Sequence, residues 1–256
     1  MKVALICDFL NQFGGAERLL LEMLKIFPKA DVYTLLYDRH KTLNNFTQYK
    51  IHPSYLQKIP LVKSRPWYLL PFYKGAIQKW DFSNYDLLIS SSSAFAKGVK
   101  KPSHCLHISY CHTPMRYAWD WYFEYLEEAK LTNPWCTFVK LVISNLRIWD
   151  KQNAKNVDLF IANSTNVAQR IEKFYKRYSL VIYPPLDLNK FSPCKKQKED
   201  YFLFVSRLSP YKKLDLVIAT FNKLDLPLKI VGQGKIGRAM QKMAKPNIQF
   251  LGQVSD

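Results

Sequence analysis

Four short segments carry residue types suited to holding an anion and to stabilising charge on a leaving group. Gly14-Gly15-Ala16-Glu17 sits where a short apolar run gives way to a helical pattern. Glycines there let a backbone approach a ligand closely, and the free amides of a helix N-terminus attract phosphate. Tyr110-Cys111-His112-Thr113-Pro114 ends another apolar run, so His112 stands before a proline-fixed turn as a polar contact or proton-transfer group. Arg207-Leu208-Ser209-Pro210-Tyr211-Lys212 places two cations five residues apart across a turn into a helix, which suits a diphosphate clamp. Val231-Gly232-Gln233-Gly234 repeats the strand-to-glycine-turn pattern, with small residues that leave room for a nucleotide. Each segment has a plain alternative: a tight turn, a satisfied histidine or solvated surface cations.

Positioning these groups calls for strands that end at them. Val3-Ala4-Leu5-Ile6-Cys7 is a continuous apolar run ending at Asp8, as expected of a buried parallel strand. Ala16, Leu19, Leu20, Met23, Leu24 and Phe27 then recur at helical spacing, and Pro28 ends the helix. Further strands are predicted at 32–37, 86–91, 106–110, 159–162 and 180–183, with helices around 137–155 and 165–177. Asn163-Ser164-Thr165 offers N-cap chemistry for the second of these helices. The alternation breaks at Tyr183-Pro184-Pro185 and in the charged stretch from Ser192 to Asp200, then restarts with strands at 201–206, 228–231 and 248–251 and helices at 212–224 and 236–244. Alternating strands and helices predict an α/β doubly wound architecture. The expected domains are residues 1–186, a linker at 187–200, and one βαβαβ half of a second domain at 201–256.

The chain has 256 residues, of which 48% are hydrophobic, enough to fill a core. Lys and Arg number 38 against 20 Asp and Glu, a formal net charge of +18. The excess is spread along the chain, so it is not a basic tail. It suggests an anionic partner. No acidic residue occurs between Asp38 and Asp81, where eight cations are interleaved with Tyr49, Tyr55, Trp67, Tyr68, Phe72, Tyr73 and Trp80. Such composition suits a membrane interface, single-stranded nucleic acid, or a solvated basic surface over an aromatic core. Lys63, Arg65, Trp67, Tyr68 and Lys74 are the candidates for an acceptor or membrane face. The five scattered cysteines form no CxxC pair and indicate a reducing compartment. The first residues lack a secretory h-region and no stretch is long enough to span a bilayer, which leads us to expect a cytoplasmic protein, peripheral at most on the inner membrane face. His104, Cys105, His107, Cys111 and His112 invite a metal reading, but strand alternation splits them between two faces, so no metal site is expected. GxSxG, P-loop and HExxH motifs are missing, which disfavours hydrolase and ATPase chemistry.

Taken in order, GGAE at 14–17, SSSAFAKGV at 91–99, YCHTPMRYAWD at 110–120, RIWDKQNAKNVDLFIANS at 147–164, VIYPPLDLNKF at 181–191, FVSRLSPYKKLDLVI at 204–218 and IVGQG at 230–234 resemble the family 4 glycosyltransferases of GT-B fold. This is the retaining group that includes bacterial mannosyltransferases of polysaccharide assembly. The resemblance implies two Rossmann-like domains facing a cleft, the first taking a glycan or lipid-linked acceptor and the second a nucleoside-diphosphate sugar. It implies that Arg207 and Lys212 hold the donor diphosphate, that Gly14 and Gly15 lie near it, and that His112 sits beside the donor sugar. Gly232 and Gly234 would border the nucleotide, and Val254 would lie near the base. It further implies no cofactor, no metal requirement and no nucleic-acid partner, with GDP-mannose the first donor to test. The family's E-x7-E segment is absent from these residues, so a truncated donor domain is expected, with impaired transfer. The alternative expectation is a non-catalytic acceptor-binding or membrane-docking remnant.

Overall fold

The structure, a computed structural model, describes residues 1–59, 69–129, 135–188, 198–234 and 236–254. They group into two compact units, Met1–Pro185 and Leu186–Asp256.

The first unit is a parallel sheet of β1 (Val3–Cys7), β2 (Asp31–Thr34), β3 (Ile51–Pro53), β4 (Leu87–Ser92), β5 (Leu106–Cys111), β6 (Leu159–Ala162) and β7 (Ser179–Val181). Its order is β3-β2-β1-β4-β5-β6-β7, and every neighbouring pair is parallel. Every residue of β1 and β4 is buried. The reason is cover on both faces, which is also why β1 reads as an unbroken apolar run. Val3, Leu5 and Cys7 pack with Leu20 and Leu24 of helix α1 (Gly15–Ile26). Ala4 and Ile6 point the other way, into a cluster shared by α2 (Leu70–Ile77) and, beyond α3 (Tyr122–Ala129), by α4 (Trp135–Asn153). Helix α5 (Thr165–Tyr175) starts on Ser164, whose Oγ accepts from the Val167 amide at 3.3 Å, the N-cap that the sequence predicts.

Strand order reverses between β1 and β4, so the crevice outside their carboxyl ends is the topological switch point where such sheets bind ligands. The loops carrying Asp8, Gly14, Gly15, Ser93 and His112 all leave the sheet at that edge.

The second unit is β8 (Phe202–Val205), α6 (Leu214–Leu224), β9 (Leu228–Val231), α7 (Gly237–Gln241) and β10 (Ile248–Gly252), a parallel sheet in the order β10-β9-β8. The expected βαβαβ half is present. Its core joins Leu214 and Ile218 of α6 to Leu228, Ile230 and Ile248 of the strands. Two helices depart from expectation. The one predicted from residue 212 begins at Leu214, because Pro210–Lys212 wind as a 3-10 turn and Lys213 takes a left-handed φ of 51° at the N-cap. The one predicted over 236–244 is confined to Gly237–Gln241.

Candidate functional site

At the first unit's carboxyl edge the organising group is Asp8, immediately after β1. Its buried carboxylate accepts four consecutive backbone amides from the loop after β4. Oδ2 takes Ser93 N at 2.6 Å and Ala94 N at 2.9 Å, and Oδ1 takes Phe95 N at 2.7 Å and Ala96 N at 2.6 Å. Successive amides pointing one way make an anion-binding concavity, and here the protein's own carboxylate fills it. Asp8 thereby pins the β4 loop to the switch point.

His112 follows β5. Its Nε2 is 2.8 Å from Ser91 Oγ at the end of β4, its amide donates to Ser92 O at 2.9 Å, and its carbonyl accepts from Asn163 Nδ2 at 3.1 Å. Side chain and backbone are therefore both fixed from neighbouring strands. Burial lowers the imidazole pKa, with Asp8 opposing that shift in part. The ring is accordingly held neutral near pH 7, a hydrogen-bonding group more than a cation. Next to it, Thr113 Oγ1 accepts from Arg170 Nη1 at 2.5 Å, and Arg170 also pairs with Asp120.

Gly14 is the extended N-cap of α1, and its amide donates to Glu17 Oε2 at 2.8 Å. Glu17 is buried, so a carboxylate already occupies the first turn of the helix. A Cβ added to Gly15 would meet no atom within 4 Å, so the fold itself does not require glycine there.

A second buried network stands behind this edge. Lys97 Nζ pairs with Asp150 of α4 and donates to Ala94 O at 2.8 Å. Asp150 Oδ2 accepts from Trp119 Nε1 and from Tyr175 OH, each at 2.8 Å. Gly98 is sterically required, since a Cβ there would collide with the Trp149 ring. Asp8, Ser91, Lys97 and Asp150 are the residues that sequence reasoning missed as positioning groups. Lys97 does leave a signal: it is the lone charge in an otherwise uncharged run from Leu87 to Val99.

In the second unit, Arg207 lies just beyond the carboxyl end of β8 and Lys212 closes the 3-10 turn, both side chains exposed. Lys212 Nζ lies 5.2 Å from the Tyr211 ring centroid. Gly232 has a φ of 135°, and a Cβ there would collide with Ser206 O. One at Gly234 would collide with Leu208 O. The demand for glycine at both positions is thus met inside the protein, by the β9 loop lying against the backbone after β8. Val254 is exposed.

Of the proposed acceptor or membrane residues, Lys63, Arg65, Trp67 and Tyr68 lie outside the described residues, as does most of the proposed linker. Lys74 is half-buried on α2. In the same basic stretch, Tyr73 is buried and Trp80 packs against the core, while Phe72 is exposed and Lys79 Nζ sits 4.6 Å over the Tyr55 ring. Core and surface share those aromatics. His107 is buried with Nε2 2.9 Å from Ser90 Oγ, and Cys105 and Cys111 are buried too. Among the described residues, no three His, Cys, Asp or Glu side chains converge as metal ligands would.

Parallel α/β units with polar groups gathered at the carboxyl edges of their strands define a ligand-binding α/β protein, and the likeness to solved structures makes its fold GT-B type. The chain belongs to Glycosyltransferase Family 4, whose sequence model matches residues 13–190. In fold it is similar to Anabaena Alr3699/HepE, solved in complex with UDP and glucose, with a TM-score of 0.63, 17% identity, and coverage of 100% of this chain and 70% of that one. It is likewise similar to a variant of Os79 from O. sativa, solved in complex with UDP, with a TM-score of 0.57, 11% identity, and coverage of 98% of this chain and 72% of that one. No curated protein matches it by sequence.

Proposed function

We propose that this family 4 glycosyltransferase moves a hexose from a nucleoside-diphosphate sugar to a glycan or lipid-linked acceptor with retention, at the cytoplasmic face of a membrane. The observation that carries the reading is His112: a histidine held neutral at the switch-point edge, with its Nε2 fixed by Ser91. Such a group can accept or donate a hydrogen bond to a sugar hydroxyl without competing for the diphosphate as a charge. Breaking the anomeric C–O bond puts positive charge on the sugar and further negative charge on the departing diphosphate. Fixed cations aimed at that diphosphate lower the barrier, and Arg207 and Lys212 are the pair assigned to it. The proposed reaction is metal-independent because those side chains supply the positive charge. The acceptor hydroxyl attacks on the leaving-group face, and the departing phosphate takes its proton.

GDP-mannose is the first donor proposed, on the likeness of the 110–120 segment to mannosyltransferases. UDP-glucose is the second reading, favoured by the UDP and glucose bound in the similar HepE structure. Transfer and binding assays with labelled GDP-mannose and UDP-glucose test both. Calorimetric donor binding that falls at least about tenfold in Arg207→Ala, and that persists in EDTA, is expected. No nucleotide binding by the wild-type chain would refute the donor-site assignment.

A further inference from the structure

Helix α4 breaks the usual rule for a surface helix. Ile143, Leu146 and Asp150 face inward, yet large apolar side chains also stand outward among the uncharged Thr137, Ser144, Asn145 and Gln152: Trp135, Phe138, Leu141 and Ile148 are 63%, 52%, 62% and 58% exposed. The first three recur every third residue, and Ile148 follows Leu141 by two turns, so they form one stripe. The Trp135 and Phe138 rings meet edge to face, with centroids 6.3 Å apart. Exposed hydrophobics scattered singly need no explanation, but four large ones aligned along one helix mark a contact surface.

Charge identifies the outer partner. The only acid on α4 is Asp150, which is buried and paired with Lys97. Lys140 and Lys151 are exposed and fall on one helical row beside the stripe. Helix α2 packs into the same core cluster as α4, and its Gln78 donates to Asn153 of α4 at 3.4 Å. That neighbour exposes Phe72 and is followed by the exposed Lys79, inside the acid-free stretch from 39 to 80. Helix α3 carries exposed Glu124 and Glu127; it meets α4 through Tyr122, whose ring lies 5.0 Å from the Arg147 guanidinium, about 100° around the helix from Ile148. A second copy of the chain would bring another net +18 and its own Lys140 and Lys151 against these, so a self-complementary contact is electrostatically opposed.

We infer that the outer face of α4, with Phe72 of α2, docks on an anionic lipid bilayer. The stripe enters the headgroup boundary, Trp135 sits at interface depth, and Lys79, Lys140 and Lys151 remain at the level of the lipid phosphates.

The test is co-sedimentation of the full chain with phosphatidylcholine vesicles, with and without phosphatidylglycerol. Binding is expected only with the anionic lipid and should weaken as salt is raised past about 0.15 M. The variant Phe138→Ser/Leu141→Ser should lower the partition coefficient at least about tenfold, and Lys140→Gln/Lys151→Gln should lower it about fivefold per charge removed, both with unchanged circular dichroism. Vesicles should also blue-shift the tryptophan emission in wild type and less in Trp135→Phe. Absence of binding to anionic vesicles would overturn the inference. So would binding that Phe138→Ser/Leu141→Ser leaves intact, or a wild-type dimer that this variant converts to monomer.

Discussion

Replacing Lys97 by Met should destabilise the first unit by about 3–5 kcal/mol, because it strands a carboxylate in the core. The ammonium and the Asp150 carboxylate are 2% and 0% exposed, so neither can recover hydration when its partner is removed. The pair contributes little net stability over an apolar isostere, since desolvating two charges offsets most of their attraction. Breaking it is another matter. Asp150 would keep Trp119 Nε1 and Tyr175 OH as donors but lose its countercharge, and Ala94 O would lose the Lys97 donor. At roughly 2–4 °C per kcal/mol for a unit of this size, the melting midpoint should fall by about 6–20 °C. Asp150→Asn should cost a similar amount by stranding the cation.

The double variant decides the matter. Lys97→Met/Asp150→Asn removes both charges while keeping a carbonyl acceptor for the tryptophan or tyrosine donor. It should be at least about 2 kcal/mol more stable than the sum of the single losses predicts. Urea unfolding of the four proteins, followed by circular dichroism, gives the cycle. Single losses under about 1 kcal/mol, or losses that simply add, would refute the reasoning that the charges depend on each other.

Three further outcomes are expected. Asp8→Asn puts an amide nitrogen where two backbone N–H groups need an acceptor, so it should cost about 2–4 kcal/mol in urea unfolding and weaken donor binding by loosening the loop at 93–96. Burial lowers the pKa of His107 to about 4 from 6.5, so the unfolded chain binds the proton more tightly. That contribution to stability is full above about pH 6.5 and is lost as pH falls toward 4, about 3 kcal/mol in all, and a melting series against pH should show a His107→Leu variant losing about 3 kcal/mol less than wild type across that window. Gly15→Ala should leave stability unchanged or raise it by up to about 1 kcal/mol, while calorimetry shows weaker donor binding.

The strands were legible as unbroken apolar runs: Val3–Cys7 is buried on both faces, and Leu159–Ala162 is apolar throughout although only Phe160 and Ala162 are fully buried. Helix α1 was legible because one face is wet, which imprints the helical period. Three elements went unread, and two of them lack both marks: β3 is three residues long and ends in Pro53, and α2 has apolar residues around most of its surface with Gly75 inside it. The third, α3, is eight residues long, two turns in which a period barely shows. The polar framework of the site was less legible still, because it is built from partners far apart in sequence. Asp8 meets the amides of residues 93–96, and Lys97 meets Asp150, pairings that no local period encodes.

The glycines show the difference most directly. Gly14-Gly15 and Gly232-Gln233-Gly234 look alike as sequence, small residues after a strand with room for a ligand. The backbone separates them. Gly232 and Gly234 are fixed by carbonyls of residues 206 and 208, so any side chain there breaks the second unit before it can report on a nucleotide. Gly15 opens onto free space at the first turn of α1, where alanine would be the better helix former. Alanine at Gly15 adds one methyl group that faces open space at no steric cost to the fold. A loss of donor binding in that variant would therefore report on the proposed site alone, which substitutions at 232 and 234 cannot do.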